Sequence, residues 1–157
     1  MGVHIRYATL SDAPILAAFQ LKMAEETEGL ALPEDTVVEG VCKLIRDSGK
    51  GFYLVAENEL EDLVACMIVT YEWSDWRDGW IWWIGSLFVD RPFRQQGIFK
   101  TMLDHLMQLG SEREVRAIRL YMDRSNELAR QVYLRSGFEP SHYEIFELHH
   151  SSGPSGS

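Results

Sequence analysis

Arg94-Gln95-Gln96-Gly97-Ile98-Phe99-Lys100 joins a strongly apolar run, residues 80–89, to an amphipathic one, residues 100–109. The pattern predicts a strand that enters a tight polar turn and a helix that leaves it. At a helix N-terminus several backbone N–H groups lack intrahelical acceptors, and the positive end of the macrodipole lies beside them. Such a turn suits phosphate groups. It is neither the GxxxxGK[ST] loop of nucleotide triphosphatases nor the GxGxxG turn of dinucleotide folds. The plain alternative is a polar turn whose glycine relieves backbone strain.

A second pattern follows: Asn126-x-x-Ala129-x-x-x-Tyr133-x-x-x-Gly137-Phe138. Ala129 and Tyr133 share one helix face. Gly137 falls just past the helix end, where a left-handed residue is wanted. Arg-x-x-Gly after a strand resembles the pyrophosphate-binding turn of acyl-CoA-dependent acetyltransferases. Together the two motifs resemble the GNAT superfamily of acetyl-CoA-dependent N-acetyltransferases, over residues 5–148.

The bulk properties are those of an ordinary globular protein. At 157 residues, 46% hydrophobic and 25% charged, the chain is long enough to bury a core as one domain, expected over 1–149 with a Ser/Gly tail at 150–157. A net charge of −9 without a Lys/Arg cluster argues against nucleic acid as partner. No apolar run reaches the length of a membrane span and no signal-peptide pattern opens the chain, so the expected setting is the cytoplasm, off the membrane. Acidity tolerates a small cationic acceptor. Cys42 and Cys66 lack metal-ligand spacing and are expected reduced and buried, with no metal site.

Periodicity predicts the order β-α-α-β-β-β-α-β-α-β. Strands are expected at 3–7, 52–57, 63–71, 80–89, 117–121 and 143–148. Helices are expected from Ser11-Asp12-Ala13-Pro14 onward and at 33–47, 96–112 and 126–136. Residues 72–79 read as a polar loop. The order is compatible with the mixed, mostly antiparallel α/β sheet of GNAT proteins, with helices on both faces and strands 4 and 5 splayed apart.

The resemblance implies a site. Backbone groups of Leu87, Phe88 and Val89 would pair with the pantetheine arm of acetyl-CoA by strand addition. Arg94, Gln95, Gln96, Gly97, Ile98, Phe99 and Lys100 would hold its pyrophosphate. Phe99 departs from the small residue usual at its position, so its ring must point away from the ligand. Lys100 serves either the phosphates or the helix surface. Tyr133 is the candidate general acid for the leaving thiolate. Asn126 would contact the cofactor arm, or caps its helix.

The amine also needs a base. The strand position that commonly carries glutamate holds Trp83, which cannot take a proton. Glu72 is the first candidate, with Asp75 and Glu28 as further acidic groups beside the acceptor, and ordered water as the alternative to any single base. Trp73, Trp76, Trp80, Trp82 and Trp83 form an aromatic cluster readable as pocket, core or homodimer interface. On simple alternation Trp83, Gly85 and Leu87 share a face, which would make Trp83 the pocket floor. The implied activity is direct acetyl transfer to a primary amine. A catalytically silent acyl-CoA-binding sensor is the rival reading.

Overall fold

The structure, a computed structural model, describes residues 2–150. It contains two compact units, one up to Tyr121 and one from Met122 onward. In the first, five strands lie in sequential order: β1 (His4–Tyr7), β2 (Gly51–Glu57), β3 (Leu63–Ser74), β4 (Gly79–Val89) and β5 (Val115–Leu120). The first four pair antiparallel, while β5 runs parallel to β4. A parallel neighbour requires a crossover, and α3 (Ile98–Ser111) supplies it. The expected mixed, mostly antiparallel sheet is therefore formed.

Helices cover both faces because the strands alternate apolar side chains on each. α1 (Ala13–Glu28) and α2 (Glu34–Arg46) bury Leu16, Ala17, Phe19, Val41 and Leu44 against Tyr53, Val55, Cys66 and Phe88. The opposite set includes Leu54 and Met67, both fully buried, and α3 contributes Met102 and Leu106 to the core. α1 runs on to Glu28 and stops at Gly29, whose φ of 64° is the left-handed value that releases a helix.

A β-bulge sets the face of every side chain near the end of β4. Ile68 pairs with Ser86 and Val69 with Ile84, so Gly85 has no partner residue on β3. One extra residue inverts the alternation beyond it. Trp83, paired with Thr70, shares a face with Ser86 and Phe88, whereas Leu87, paired with Met67, lies on the other with Trp82 and Ile84. The expected common face of Trp83, Gly85 and Leu87 is thus corrected.

The expected polar loop at 72–79 is also shorter than read. The β3–β4 ladder continues to Ser74 opposite Gly79, so Glu72 lies within a strand, across from Ile81. Trp73 and Trp80 face each other edge-on with ring centroids 5.0 Å apart, a cross-strand aromatic pair that extends the hairpin. Arg116 of β5 closes the tip by donating to the carbonyls of Arg77 and Asp78.

In the second unit α4 (Glu127–Arg135) starts at Asn126, whose Oδ1 accepts the Ala129 N–H at 3.1 Å. Its end is a Schellman motif. The Phe138 N–H returns to the Tyr133 carbonyl at 3.0 Å and the Gly137 N–H to Leu134 at 3.2 Å, with Gly137 at φ 99°. The apolar contact that accompanies such a motif is the Tyr133–Phe138 ring pair, 5.7 Å between centroids. The strand expected at 143–148 is not formed: residues 143–148 carry no regular structure, and Tyr143, Ile145, Phe146 and Leu148 are exposed. An alternating segment without a paired neighbour leaves its ladder groups to water. From Ser151 on, the expected tail lies outside the described residues.

At the entry to α1, Asp12 is a buried carboxylate held by a fork from Arg6 (2.8 and 3.1 Å) and by the Thr9 N–H (2.8 Å). The Arg6 hydrogen bond, seconded by Thr9, holds its pKa below the ordinary 3.8. A depressed carboxylate stabilises fully above its unfolded pKa, and that contribution fades as pH falls through the folded value. Asp12→Asn is expected to lower unfolding free energy by about 2 kcal/mol at neutral pH. Denaturant titrations from about pH 6 down to pH 2 should show a flatter acid decline in the variant than in wild type.

Candidate active site

Strand β4 has two partners over only part of its length. Its parallel pairing with β5 ends at Ile84 opposite Leu120, while its ladder with β3 runs on to Val89. The edge of residues 85–89 that faces away from β3 has no strand partner among the described residues. Backbone groups along such an edge accept an added extended chain. Leu87 and Val89 are half-buried and Phe88 is buried. In the same stretch the Ser86 Oγ is buried without a hydrogen-bond partner among the described residues.

Past Val89 the chain turns through a short 3-10 segment, Arg91–Phe93, into the N-terminus of α3. Two left-handed residues shape this turn, Gln95 at φ 63° and Gly97 at φ 77°. A left-handed residue beside a right-handed one is a backbone arrangement from which anion-binding nests of N–H groups are built. Gly97 caps the helix, and its carbonyl accepts both the N–H and the hydroxyl of Thr101 at 3.1 Å. Ile98 is buried and anchors the first turn, while Gln95 and Gln96 are exposed. Arg94 donates to the Val89 carbonyl at 2.7 Å and to Glu26 of α1 at 2.8 Å, with its guanidinium 5.4 Å from the Phe88 ring centre.

Below the open edge four side chains meet. The Trp83 indole N–H donates to Glu72 Oε1 at 2.8 Å, and Arg119 of β5 lies 3.7 Å from Glu72 Oε2. The Arg119 guanidinium also sits 5.9 Å from the Trp83 ring centre, and the Tyr121 ring 6.3 Å from it. The register explains the meeting: Trp83 pairs with Thr70 on one side and Arg119 on the other, one step before the β4–β5 pairing stops.

The sequence profile of the acetyltransferase (GNAT) family matches residues 16–138. The chain belongs to this family. A crystal structure described as a possible acetyltransferase from Clostridium difficile 630 is 33% identical, covering 95% of this chain and 98% of that one with a TM-score of 0.88. Two more distant structures share the GNAT fold. The ribosomal-protein-alanine N-acetyltransferase from Brucella melitensis biovar Abortus 2308 has 20% identity, 94% and 99% coverage and a TM-score of 0.75. The aminoglycoside N-acetyltransferase AAC(6')-Iy in complex with CoA has 16% identity, 95% and 97% coverage and a TM-score of 0.76. No curated protein matches by sequence.

Within this GNAT domain the residues expected at the site fall into separate groups. Leu87, Phe88 and Val89 lie on the open edge, and residues 94–100 form the turn and first helical turn beyond it. Lys100 pairs along its own helix with Asp104 at 2.9 Å, and Phe99 is half-buried. Glu72 and Trp83 are brought together. Asp75 lies beyond the last hairpin pair, Ser74 with Gly79, four ladder steps from Trp83. Glu28 is the exposed last residue of α1. Asn126 and Tyr133 belong to the second unit. The half-buried Tyr133 phenol has its pKa raised above 10.0 by burial, so it stays protonated across the neutral range.

Sequence reading missed Glu26, Ser86 and Arg119. An arginine inside an apolar strand was the visible signal for Arg119, but its partner depends on the β4–β5 register. The GNAT core also disposes of Cys66 as a nucleophile. Its thiol is buried beside Gln20 and its pKa is pushed up to about 12, chiefly by burial. At about pH 8, iodoacetamide should leave Cys66 unmodified in the native protein and label it after denaturation, as read by peptide mass spectrometry.

Proposed function

We propose that this protein is an N-acetyltransferase that moves the acetyl group of acetyl-CoA directly to a primary amine of a small acceptor, without a covalent enzyme intermediate. The observation that carries the reading is the unpaired edge of residues 85–89 leading straight into the Gln95–Gly97 turn and the N-terminus of α3. An extended amide chain ending in a pyrophosphate matches that sequence of features: first an edge, then a nest of N–H groups. The family membership adds to it, as does the CoA complex of the similarly folded aminoglycoside acetyltransferase.

When bound, acetyl-CoA supplies an activated thioester and a thiolate leaving group. Leu87, Phe88 and Val89 offer backbone groups to the pantetheine amides. Gln95 through Lys100 offer the turn, and Arg94 adds a forked cation whose five donors exceed its two contacts to Val89 and Glu26. Glu72 takes the proton that the ammonium must lose, directly or through water; Trp83 holds it in place through its N–H. Tyr133 donates a proton to the departing sulfur, a role its burial-raised pKa suits at neutral pH. The acidic chain, at −9, accommodates an ammonium-bearing acceptor. Among the described residues no helix is long and apolar enough to cross a membrane.

The testing assay follows thiol release from acetyl-CoA with a panel of amines, amino acids and peptides. Amine-dependent release is expected. Tyr133→Phe keeps the ring against Phe138 and should lower kcat by about 100-fold with little change in acetyl-CoA binding. Acetyl-CoA binding without turnover on any amine would favour the silent sensor instead.

A further inference from the structure

Acidity and a tryptophan cluster together suggest a polycationic acceptor, but the side chains beneath the open edge do not form an anionic well. Arg119 stands there. It pairs with Trp83, two residues before the open edge begins at Gly85, so its Cα lies about 7 Å along the strand from there. Its positive charge balances the Glu72 carboxylate 3.7 Å away. The cation beside the Trp83 ring is therefore supplied by the chain itself.

We infer that Arg119 and Glu72 select an acceptor bearing a carboxylate beside its amine, an amino acid or a compound with that head group; this rests on the acetyltransfer reading above. A cation and an anion fixed side by side match a zwitterion charge for charge, with the ammonium toward Glu72 and the carboxylate toward Arg119. A second ammonium in the acceptor would instead meet Arg119 at close range and be repelled. The Arg119–Glu72 contact is longer than the ~2.7–2.9 Å of a charge-assisted hydrogen bond. The planar fork of arginine suits a carboxylate in a way that a lysine ammonium does not. Trp83 supports both partners at once, donating to Glu72 and lying beside the guanidinium. Ser86, on the same sheet face, provides a buried hydroxyl without a partner among the described residues, within the unpaired stretch.

The test uses the full chain with acetyl-CoA and three acceptor sets: L-amino acids, the same amino acids as carboxamides, and the polyamines putrescine and spermidine. Wild type should use the free acids with kcat/KM at least about 10-fold above the carboxamides and polyamines. Arg119→Gln should cut the preference for free acids over the matching carboxamides by about 10- to 100-fold, read as the ratio of kcat/KM for each acid and its carboxamide, whatever it does to turnover common to both. Arg119→Lys should recover part of the loss. Carboxamides or polyamines turned over as well as free acids would overturn the inference and leave the acetyltransferase standing. Equal losses on acids and carboxamides in Arg119→Gln would reduce Arg119 to a structural part and overturn it too. Turnover of another amine or a peptide, with none of the three sets used, would overturn the inference alone, whereas acetyl-CoA binding without turnover on any amine would defeat the acetyltransfer reading and this inference together.

Discussion

Parallel pairing between β4 and β5 stops at Ile84 and Leu120, while the antiparallel ladder on the other side of β4 continues to Val89. A row of backbone groups is thereby left without a strand, and buried or half-buried backbone groups are costly to leave unmatched. The bulge at Gly85 falls where the split begins, and it re-aims the strand beyond it. Phe88 thus packs against Phe19 of α1, ring centroids 5.0 Å apart, while Leu87 turns to the face shared with Trp82 and Ile84. The chain then reaches the Gln95–Gly97 turn through the short 3-10 segment Arg91–Phe93. One interrupted ladder accounts for the strand edge and for the side-chain cluster beside it.

Charge is organised locally against a global excess. The chain carries −9 overall, yet several of its carboxylates stand beside an arginine: Asp12 and Glu57 beside Arg6, Glu26 beside Arg94, and Glu72 beside Arg119. The last two tie α1 to the turn before α3 and β3 to β5. Exposed ion pairs contribute little to stability. Their weight lies in fixing where a cation stands beside each carboxylate.

The second unit shows how a short motif becomes a geometry. In Tyr133-x-x-x-Gly137-Phe138 the glycine supplies the left-handed residue, Phe138 returns its N–H to Tyr133, and the two rings meet. The motif is a complete helix stop, and it fixes the tyrosine ring by a contact within itself. Asn126 does the matching work at the other end of the helix.

The sequence alone determined most of this. The 3.6- and 2-residue periods placed all but one of the expected elements, because burial of one face imposes those repeats wherever a segment packs on a neighbour. Gly97 and Gly137 marked the turns because a positive φ leaves few other residues acceptable. Only tertiary structure decided the rest. Alternation could not reveal the bulge at Gly85, since an inserted residue shows only against the partner strand. It likewise could not show that Arg119 stands beside Trp83 and Glu72, because register between β4 and β5 is set across the crossover of α3. Residues 143–148 carry a strand-like pattern, but a pattern supplies no partner, and backbone pairing is a property of two segments, not of one.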